Sequence, residues 1–118
     1  MPENLGPRER IRKQKDFFVL YKKGKRYRGK YFTLIHFPNN LEFCRFAVVA
    51  SKKVGNAVRR NKIKRRMRTL FRRNKNSIII PMDLIVIASA ELHNLSWTDL
   101  QNEFLKALNS VAQYSKYQ

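Results

Sequence analysis

Residues 51–73 have the sequence SKKVGNAVRRNKIKRRMRTLFRR, and this stretch decides the fold. A break in regular structure is predicted at Val54-Gly55-Asn56, and Asn56 is a good helix N-cap. A helix is therefore predicted from Asn56 to about Arg73. At about 100° per residue, four apolar side chains share one face with the spacing of a helix packed on a sheet. These residues are Ile63, Met67, Leu70 and Phe71.

The remaining surface of this helix is almost entirely cationic. No acidic residue occurs between Glu42 and Asp83. Like charges at i and i+4 each cost roughly a few tenths of a kcal/mol, so an unmixed run favours a phosphate-bearing partner over an ordinary solvated face. Asn61 lies among these cations, where its amide either reads a base edge or is simply an exposed polar group. The face opposite the apolar stripe consists of Asn61, Arg65, Arg68 and Arg72.

Charge is distributed unevenly along the chain. The 118 residues include 26 Lys and Arg against 8 Asp and Glu, a formal net charge of +18. Residues 1–82 carry 24 of the basic residues and four acidic ones, whereas residues 83–118 carry two basic and four acidic ones. A compact surface this cationic repels itself, so a polyanion is expected as partner, either nucleic acid or an anionic membrane. The first two thirds are therefore predicted to bind, and the last third to be scaffold.

The length is that of one domain. Breakers at Pro2, Gly6 and Pro7 predict a flexible N-terminal segment over residues 1–12, and residues 13–118 are predicted to form a single RNA-binding domain. Besides the central helix, the patterns predict helices at about 13–23 and from 96 onward, strands at 31–37, 43–50, 78–80 and 83–88, and a basic linker at 22–30.

The simplest strand pairing joins residues 31–37 and 43–50 as a hairpin through the turn Pro38-Asn39-Asn40. The element order is helix, two strands, helix, strand, helix. This order predicts an α+β fold: a small single-domain α/β sandwich with one mostly antiparallel sheet, a basic central helix and flanking N- and C-terminal helices.

The central stretch also carries a resemblance to a known family. Ser51 to Val58, followed by Arg60-Asn61, Lys64-Arg65 and Arg68, closely resembles the signature of the bacterial ribonuclease P protein component. The N-terminal stretch with Asp16-Phe17 and the chain length are similar as well. The resemblance covers most of the chain and rests on a long, ordered motif. It implies a left-handed βαβ crossover, where the general rule for parallel strands predicts a right-handed one.

The resemblance further implies a function. The family's protein joins a catalytic RNA, and together they remove the 5′ leader of precursor transfer RNA. Mg²⁺ is then expected with the RNA subunit, with no cofactor bound by this chain, no catalytic residue in it and no protein partner required. By resemblance, the residues facing the catalytic RNA are Lys52, Lys53, Asn56, Arg60, Asn61, Lys62, Lys64, Arg65 and Arg68. Those binding the leader are Phe17, Tyr21 and Ile35.

Two positions depart from the family pattern. The triplet Arg-Asn-Arg is Arg60-Asn61-Lys62 here, and Lys keeps the charge but lacks the bidentate fork. Ile35 stands where the family often has an aromatic ring, which removes one stacking platform. Phe17 and Tyr21 lie among cations, and stacking of single-stranded bases on such rings suits a leader of variable sequence. The alternative is that such rings belong to the core, which we favour for Phe18, Tyr27 and Tyr31.

Signals of an independent enzyme are weak. His36 and His93 lie far apart, Cys44 is the single cysteine, and the carboxylates do not cluster as a metal-dependent nuclease requires. A structural RNA-binding protein, such as a ribosomal protein, and a self-sufficient ribonuclease are the alternatives. No apolar run reaches about 18 residues, so no transmembrane helix is predicted, and the narrow apolar stripe disfavours a membrane-surface role. A single cysteine suits the reducing cytoplasm, the expected location.

Overall fold

A four-stranded mixed sheet with helices packed on both faces organises the chain. The computed structural model describes residues 7–116. In chain order the elements are α1 (Gln14–Lys23), β1 (Lys25–Arg28), β2 (Phe32–Pro38), β3 (Arg45–Val49), α2 (Ala57–Asn74), β4 (Met82–Ala88) and α3 (Trp97–Lys116).

The strand order in the sheet is β1-β2-β4-β3. β2 is antiparallel to both β1 and β4, whereas β3 is parallel to β4. The helix α2 forms the crossover between the two parallel strands, because it lies between them in the sequence. The predicted α+β sandwich with a mostly antiparallel sheet is therefore confirmed. The left-handedness of the crossover stays a prediction.

Three local predictions are wrong. β2 and β3 do not form a hairpin, because β4 lies between them in the sheet and pairs with both. The supposed basic linker contains β1, which pairs with β2 through its backbone, placing Lys25 opposite His36. Residues 78–80 form no strand, and β4 begins only after Pro81, which has no N–H to donate to a ladder.

The larger core lies between the sheet and the helices α2 and α3. Phe46 of β3 stacks on Phe71 of α2, with ring centroids 4.5 Å apart and an interplanar angle of 8°. Phe104 of α3 meets the same Phe46 ring edge-on at 6.4 Å. The predicted apolar stripe of α2 is confirmed, because its four members, Ile63, Met67, Leu70 and Phe71, are all buried.

The smaller core lies on the other sheet face, under α1. It consists of Ile11, Leu20, Ile35 and Ile85, all buried. Ile11 reaches it because its N–H donates to the carbonyl of Phe46 at 3.2 Å and Arg10 forms a parallel bridge with the same residue. Residues 7–12, predicted to belong to a flexible segment, are therefore packed along β3. The rest of that segment, residues 1–6, lies outside the described residues.

Candidate nucleic-acid interface

The segment that leads into α2 is shaped by two hydrogen bonds and one unusual backbone conformation. The Ser51 hydroxyl oxygen accepts a hydrogen bond from the Lys53 N–H at 3.3 Å, and Val54 is buried beneath this turn. Gly55 has φ 141°, a conformation that side chains rarely tolerate. The Asn56 side-chain oxygen then accepts from the Arg59 N–H at 3.0 Å, which confirms the predicted N-cap. The entry thus places exposed Lys52 and Lys53 at the amino end of α2, where the helix dipole adds positive potential.

Most of the predicted RNA-binding residues fall on one continuous surface. Exposed Asn61 and Arg65 lie opposite the apolar stripe, and the half-buried Arg60, Lys64 and Arg68 form the adjoining ridge at i, i+4 and i+8. We call the following set the motif surface: Lys52, Lys53, Asn56, Arg60, Asn61, Lys64, Arg65 and Arg68.

Lys62 is separated from the motif surface. It is exposed on the other flank of α2, where it lines a pocket with Arg59 and Arg66 beside His93. The predicted RNA-binding set is therefore divided between two sides of the same helix. Helical geometry alone gives this result, because Lys62 follows Asn61 by 100° around the axis.

The ridge of the motif surface extends to a residue that the sequence analysis did not single out. Burial lowers the pKa of the Arg68 guanidinium, and the neighbouring charge of Arg10 lowers this pKa further. Two guanidinium groups therefore lie close together at the side of α2. The buried Nε atoms of Arg10 and Arg60 have no hydrogen-bond partner in the described part of the chain. Arg10 was missed because the segment containing it was predicted to be flexible.

Three carboxylates of the described residues form ion pairs away from the motif surface. Asp16 and Asp83 pair with Arg45, and Glu9 pairs with Lys75. Within residues 7–116, no ion pair includes any of the nine predicted RNA-binding residues. Their positive charge is therefore available to an external anion.

A second candidate surface lies where α1 meets the sheet. Register places Thr33, Ile87 and Val49 side by side across β2, β4 and β3, on the same face as α1. All three are half-buried. Phe17 of α1 packs against the small core beneath, and Tyr21 is 40% exposed one turn later. We call the surface formed by these five residues the sheet groove.

The predicted leader-binding residues are not equally accessible in this groove. Phe17 and Tyr21 present ring surface to solvent, whereas Ile35 is fully buried between α1 and the sheet. Ile35 therefore supports α1 from below and offers no side-chain surface to a ligand, and we remove it from the predicted leader-binding set. Alternation along the strand places Ile35 on the same face as Thr33, but it could not predict that α1 covers this position.

The two candidate surfaces are adjacent. The strand β3 ends at Val49, a member of the sheet groove, and the motif surface begins three residues later, at Lys52. At the other end of the same row, exposed Arg28 stands opposite Thr33 on β1. An extended polyanion lying in the sheet groove would thus meet cations at both ends of the row.

The groups with catalytic potential are dispersed. Burial raises the pKa of the Cys44 thiol, whose sulfur accepts from the Met82 N–H at 3.5 Å, so this cysteine is a poor nucleophile. In the part of the chain that the structure covers, no three His, Cys, Asp or Glu side chains come together to hold a metal ion. Among the helices of residues 7–116, none combines the length and apolar character needed to cross a membrane.

Fold and surface together define the class: a small α+β protein with a strongly cationic crossover helix beside a half-covered sheet, in which the motif surface has no ion pair among residues 7–116. The ribonuclease P family model matches residues 5–112. The ribonuclease P protein component of Syntrophus aciditrophicus is 39% identical over 95 residues, covering 80% of each chain. That of Thermotoga maritima is 35% identical over 115 residues, covering 94% of this chain and 98% of its own.

Solved structures agree with these sequence relatives. The Staphylococcus aureus RNase P protein superposes with a TM-score of 0.80 at 36% identity, covering 87% of this chain and 94% of its own. The Thermotoga maritima RNase P protein gives 0.77 at 34% identity, covering 85% and 94%. The chain belongs to the bacterial ribonuclease P protein component family.

Proposed function

We propose that this chain is the RNA-binding protein subunit that, with a catalytic RNA, removes the 5′ leader of precursor transfer RNA. In this proposal the motif surface binds the catalytic RNA and the sheet groove binds the leader. The observation that carries it is that the α2 cations of the motif surface, among them Arg65 and Lys64, have no carboxylate partner among residues 7–116. Family membership supports the same assignment.

The motif surface is suited to a folded RNA. Arginine forks bind phosphate oxygens bidentately, and each phosphate neutralised releases counterions, which makes binding steeply salt-dependent. Arg68 is half-buried beside the α2 backbone, so its guanidinium loses less freedom on binding than a fully exposed one. Asn61, exposed among these cations, can donate and accept at a base edge or a ribose hydroxyl.

The sheet groove is suited to a single strand of variable sequence. Tyr21 offers a ring face on which a base stacks whatever its identity. Ile87 and Val49 provide apolar contact without base-specific hydrogen bonds. Exposed Arg28 at the end of the row would bind a leader phosphate.

The division of labour follows from these surfaces. We assign the catalytic metal ions, Mg²⁺, to the RNA, and to this chain the tasks of binding, orienting and neutralising phosphate repulsion between RNA and precursor. Neutralisation by fixed cations lowers the concentration of free divalent ions that the assembly needs. The proposal places the assembly in the cytoplasm and requires no further protein partner.

The deciding experiment is cleavage of a precursor transfer RNA at low magnesium. Three reactions contain the catalytic RNA alone, this chain alone, and both together. Efficient cutting at the mature 5′ end by the mixture alone is the expected result. A mixture no better than the RNA alone would refute the proposed role, and a structural RNA-binding protein would take its place.

The reaction with this chain alone also tests a second possibility. One Staphylococcus aureus structure is that of an RNase P protein mutant described as defective in mRNA degradation activity. An unstructured messenger fragment is therefore added to the protein-alone reaction. Cutting there would assign a nuclease centre to the chain itself, which is contrary to our proposal.

A further inference from the structure

A separate pocket lies on the flank of α2 that faces away from the motif surface. It has a volume of about 250 Å³ and opens between the amino half of α2 and the turn that precedes α3. This is below the roughly 300–1,000 Å³ of drug-sized ligand sites, so it suits one small group. Of the nine predicted RNA-binding residues, only Lys62 lines it.

The floor of the pocket is apolar and fixed. It consists of Ile63, Leu92 and Leu100, which are buried to 5%, 2% and 3% exposure and belong to the large core. A surface formed by core side chains cannot retract from a ligand without disturbing the packing between α2 and α3. The floor therefore favours a flat apolar group over a hydrated ion.

The rim of the pocket is cationic. Arg59, Lys62 and Arg66 occupy positions i, i+3 and i+7 of α2 and therefore lie along one side of the helix. None of the three is in an ion pair with a carboxylate among residues 7–116. The positive charge at the rim is thus not neutralised by this part of the chain.

Two of these cations contact aromatic rings and not carboxylates. An Arg59 guanidinium nitrogen lies 3.3 Å from His93 Nε2, and His93 Nδ1 lies 2.8 Å from the Ala90 carbonyl oxygen. Because that carbonyl can only accept, Nδ1 is assigned as the donor, which leaves Nε2 to accept from Arg59. The Arg66 guanidinium lies 6.0 Å from the centre of the Trp97 ring. Ring contacts therefore position both guanidinium groups, and no carboxylate among residues 7–116 neutralises their positive charge.

An apolar floor beneath a positioned cationic rim selects a ligand with a flat ring and a phosphate. We propose that this pocket binds one unpaired nucleotide of an RNA, with its phosphate on Arg59 and Lys62 and its base between the floor and the Arg66 plane. The inference rests on the proposed RNA-binding function and adds a second contact on the opposite flank of α2. The proposal also assigns a role to Lys62, which lies on the flank of α2 away from the motif surface.

The only tryptophan of the chain provides the reporter, since Trp97 contacts Arg66 at the rim. The full chain is titrated with adenosine 5′-monophosphate, ribose 5-phosphate and inorganic phosphate, and Trp97 fluorescence is followed. Backbone amide shifts of residues 90–100 locate the binding. We expect saturable binding of the nucleotide at least about fivefold tighter than that of ribose 5-phosphate, from base stacking. No saturation, or equal binding of all three probes, would overturn the proposal.

Arg59→Ala is expected to weaken nucleotide binding about tenfold, as loss of a charge-assisted hydrogen bond does. Lys106→Ala, which removes an exposed cation on α3, is the matched control and is expected to bind normally. Unchanged binding by Arg59→Ala would refute the assignment.

Failure of the pocket is distinguishable from failure of the proposed function. Cleavage by the mixture without nucleotide binding rejects the pocket alone, and nucleotide binding without cleavage rejects the subunit role alone.

Discussion

Arg45 on β3 and Asp83 on β4 are direct partners across the parallel ladder, and their side chains share two hydrogen bonds. Arg45 Nε lies 2.8 Å from Asp83 Oδ1, and Nη2 lies 2.5 Å from Oδ2. The same carboxylate accepts from the Asn39 amide at 2.9 Å. Arg45 Nη1 also reaches Asp16 of α1 at 3.3 Å. One guanidinium thus ties α1, and with it the sheet groove, to the end of the sheet.

Asp83→Ala is expected to lower the free energy of unfolding by about 3 kcal/mol, because it leaves Arg45 and Asn39 without their shared acceptor in a nearly buried place. The Asp83 side chain is only 10% exposed. Asp16→Ala, at the more exposed end of the network, is expected to cost no more than about 1 kcal/mol. Urea unfolding of both variants measures the difference, and equal costs would contradict the assigned hierarchy.

Arg65→Ala and Arg68→Ala are each expected to weaken association with the catalytic RNA and to reduce its salt slope by roughly one unit, because in the proposed assembly each would remove one phosphate contact. Affinity is measured by filter binding between about 50 and 200 mM salt. Lys106→Ala, outside the motif surface, serves as the control for net charge. Salt slopes unchanged from the wild type in both arginine variants would remove these residues from the interface.

Tyr21→Ala is expected to weaken binding of a precursor with a 5′ leader by at least about fivefold, because in the proposed complex one base would lose its stacking surface. Binding of mature transfer RNA, which lacks the leader, is expected to be unaffected. Tyr21→Phe keeps the ring and should bind as the wild type does. Phe18→Ala is the matched aromatic control, since Phe18 is 63% exposed and is not part of the sheet groove. An equal loss for mature transfer RNA would show that Tyr21 does not bind the leader.

His36 gives the fold a predictable pH dependence. Burial lowers its pKa below the ordinary value of 6.5, and the nearby charge of Lys25 lowers this pKa further. Below 6.5 the unfolded chain binds a proton at this position more readily than the folded chain does. The free energy of unfolding therefore falls as the pH drops through 6.5 towards the depressed folded value.

His36→Gln removes this titration. Urea unfolding at about pH 7.5 and about pH 5.5, on either side of an ordinary histidine pKa, is expected to give a smaller stability difference for the variant than for the wild type. The comparison is made between the two pH values within each protein, so a constant cost of the substitution cancels. Identical pH dependence in both proteins would contradict the role given to His36.

Local sequence patterns predicted the helices well because amphipathic spacing and capping are properties of single segments. The apolar stripe from Ile63 to Phe71 and the N-cap at Asn56 are both observed. The helix predicted from 96 onward begins at Trp97, and the Ser96 hydroxyl accepts from the Asp99 N–H at 3.1 Å. The motif surface followed from the same helical geometry. Helical geometry also separates Lys62 from the motif surface, but it could not predict the pocket beside Lys62, because Leu92, His93 and Leu100 are distant in sequence.

The sheet was harder to predict because strand order depends on partners distant in sequence. The turn sequence after β2 does not indicate that β4, and not β3, pairs with β2 in the sheet. That pairing joins residues far apart in the sequence, such as Ile35 and Ile85. β1 was missed because three of its four residues are cationic and only Tyr27 packs inward. Its pairing with β2 is made by backbone groups, which hydrophobic patterning does not detect. Arg10 and Ile11 were missed for a similar reason, because backbone pairing with Phe46 holds them along β3.

The α2 cations of the motif surface, which have no carboxylate partner among residues 7–116, also couple folding to assembly. In the free chain they repel one another along a single helix, and this repulsion opposes the compact state. A polyanion that binds only the folded form removes the repulsion and shifts the folding equilibrium by mass action. The isolated chain is therefore the fragile form and the assembled chain the durable one. In a cell, chains in excess of their RNA would be the first to unfold and be degraded, so the amount of RNA would set the amount of surviving protein.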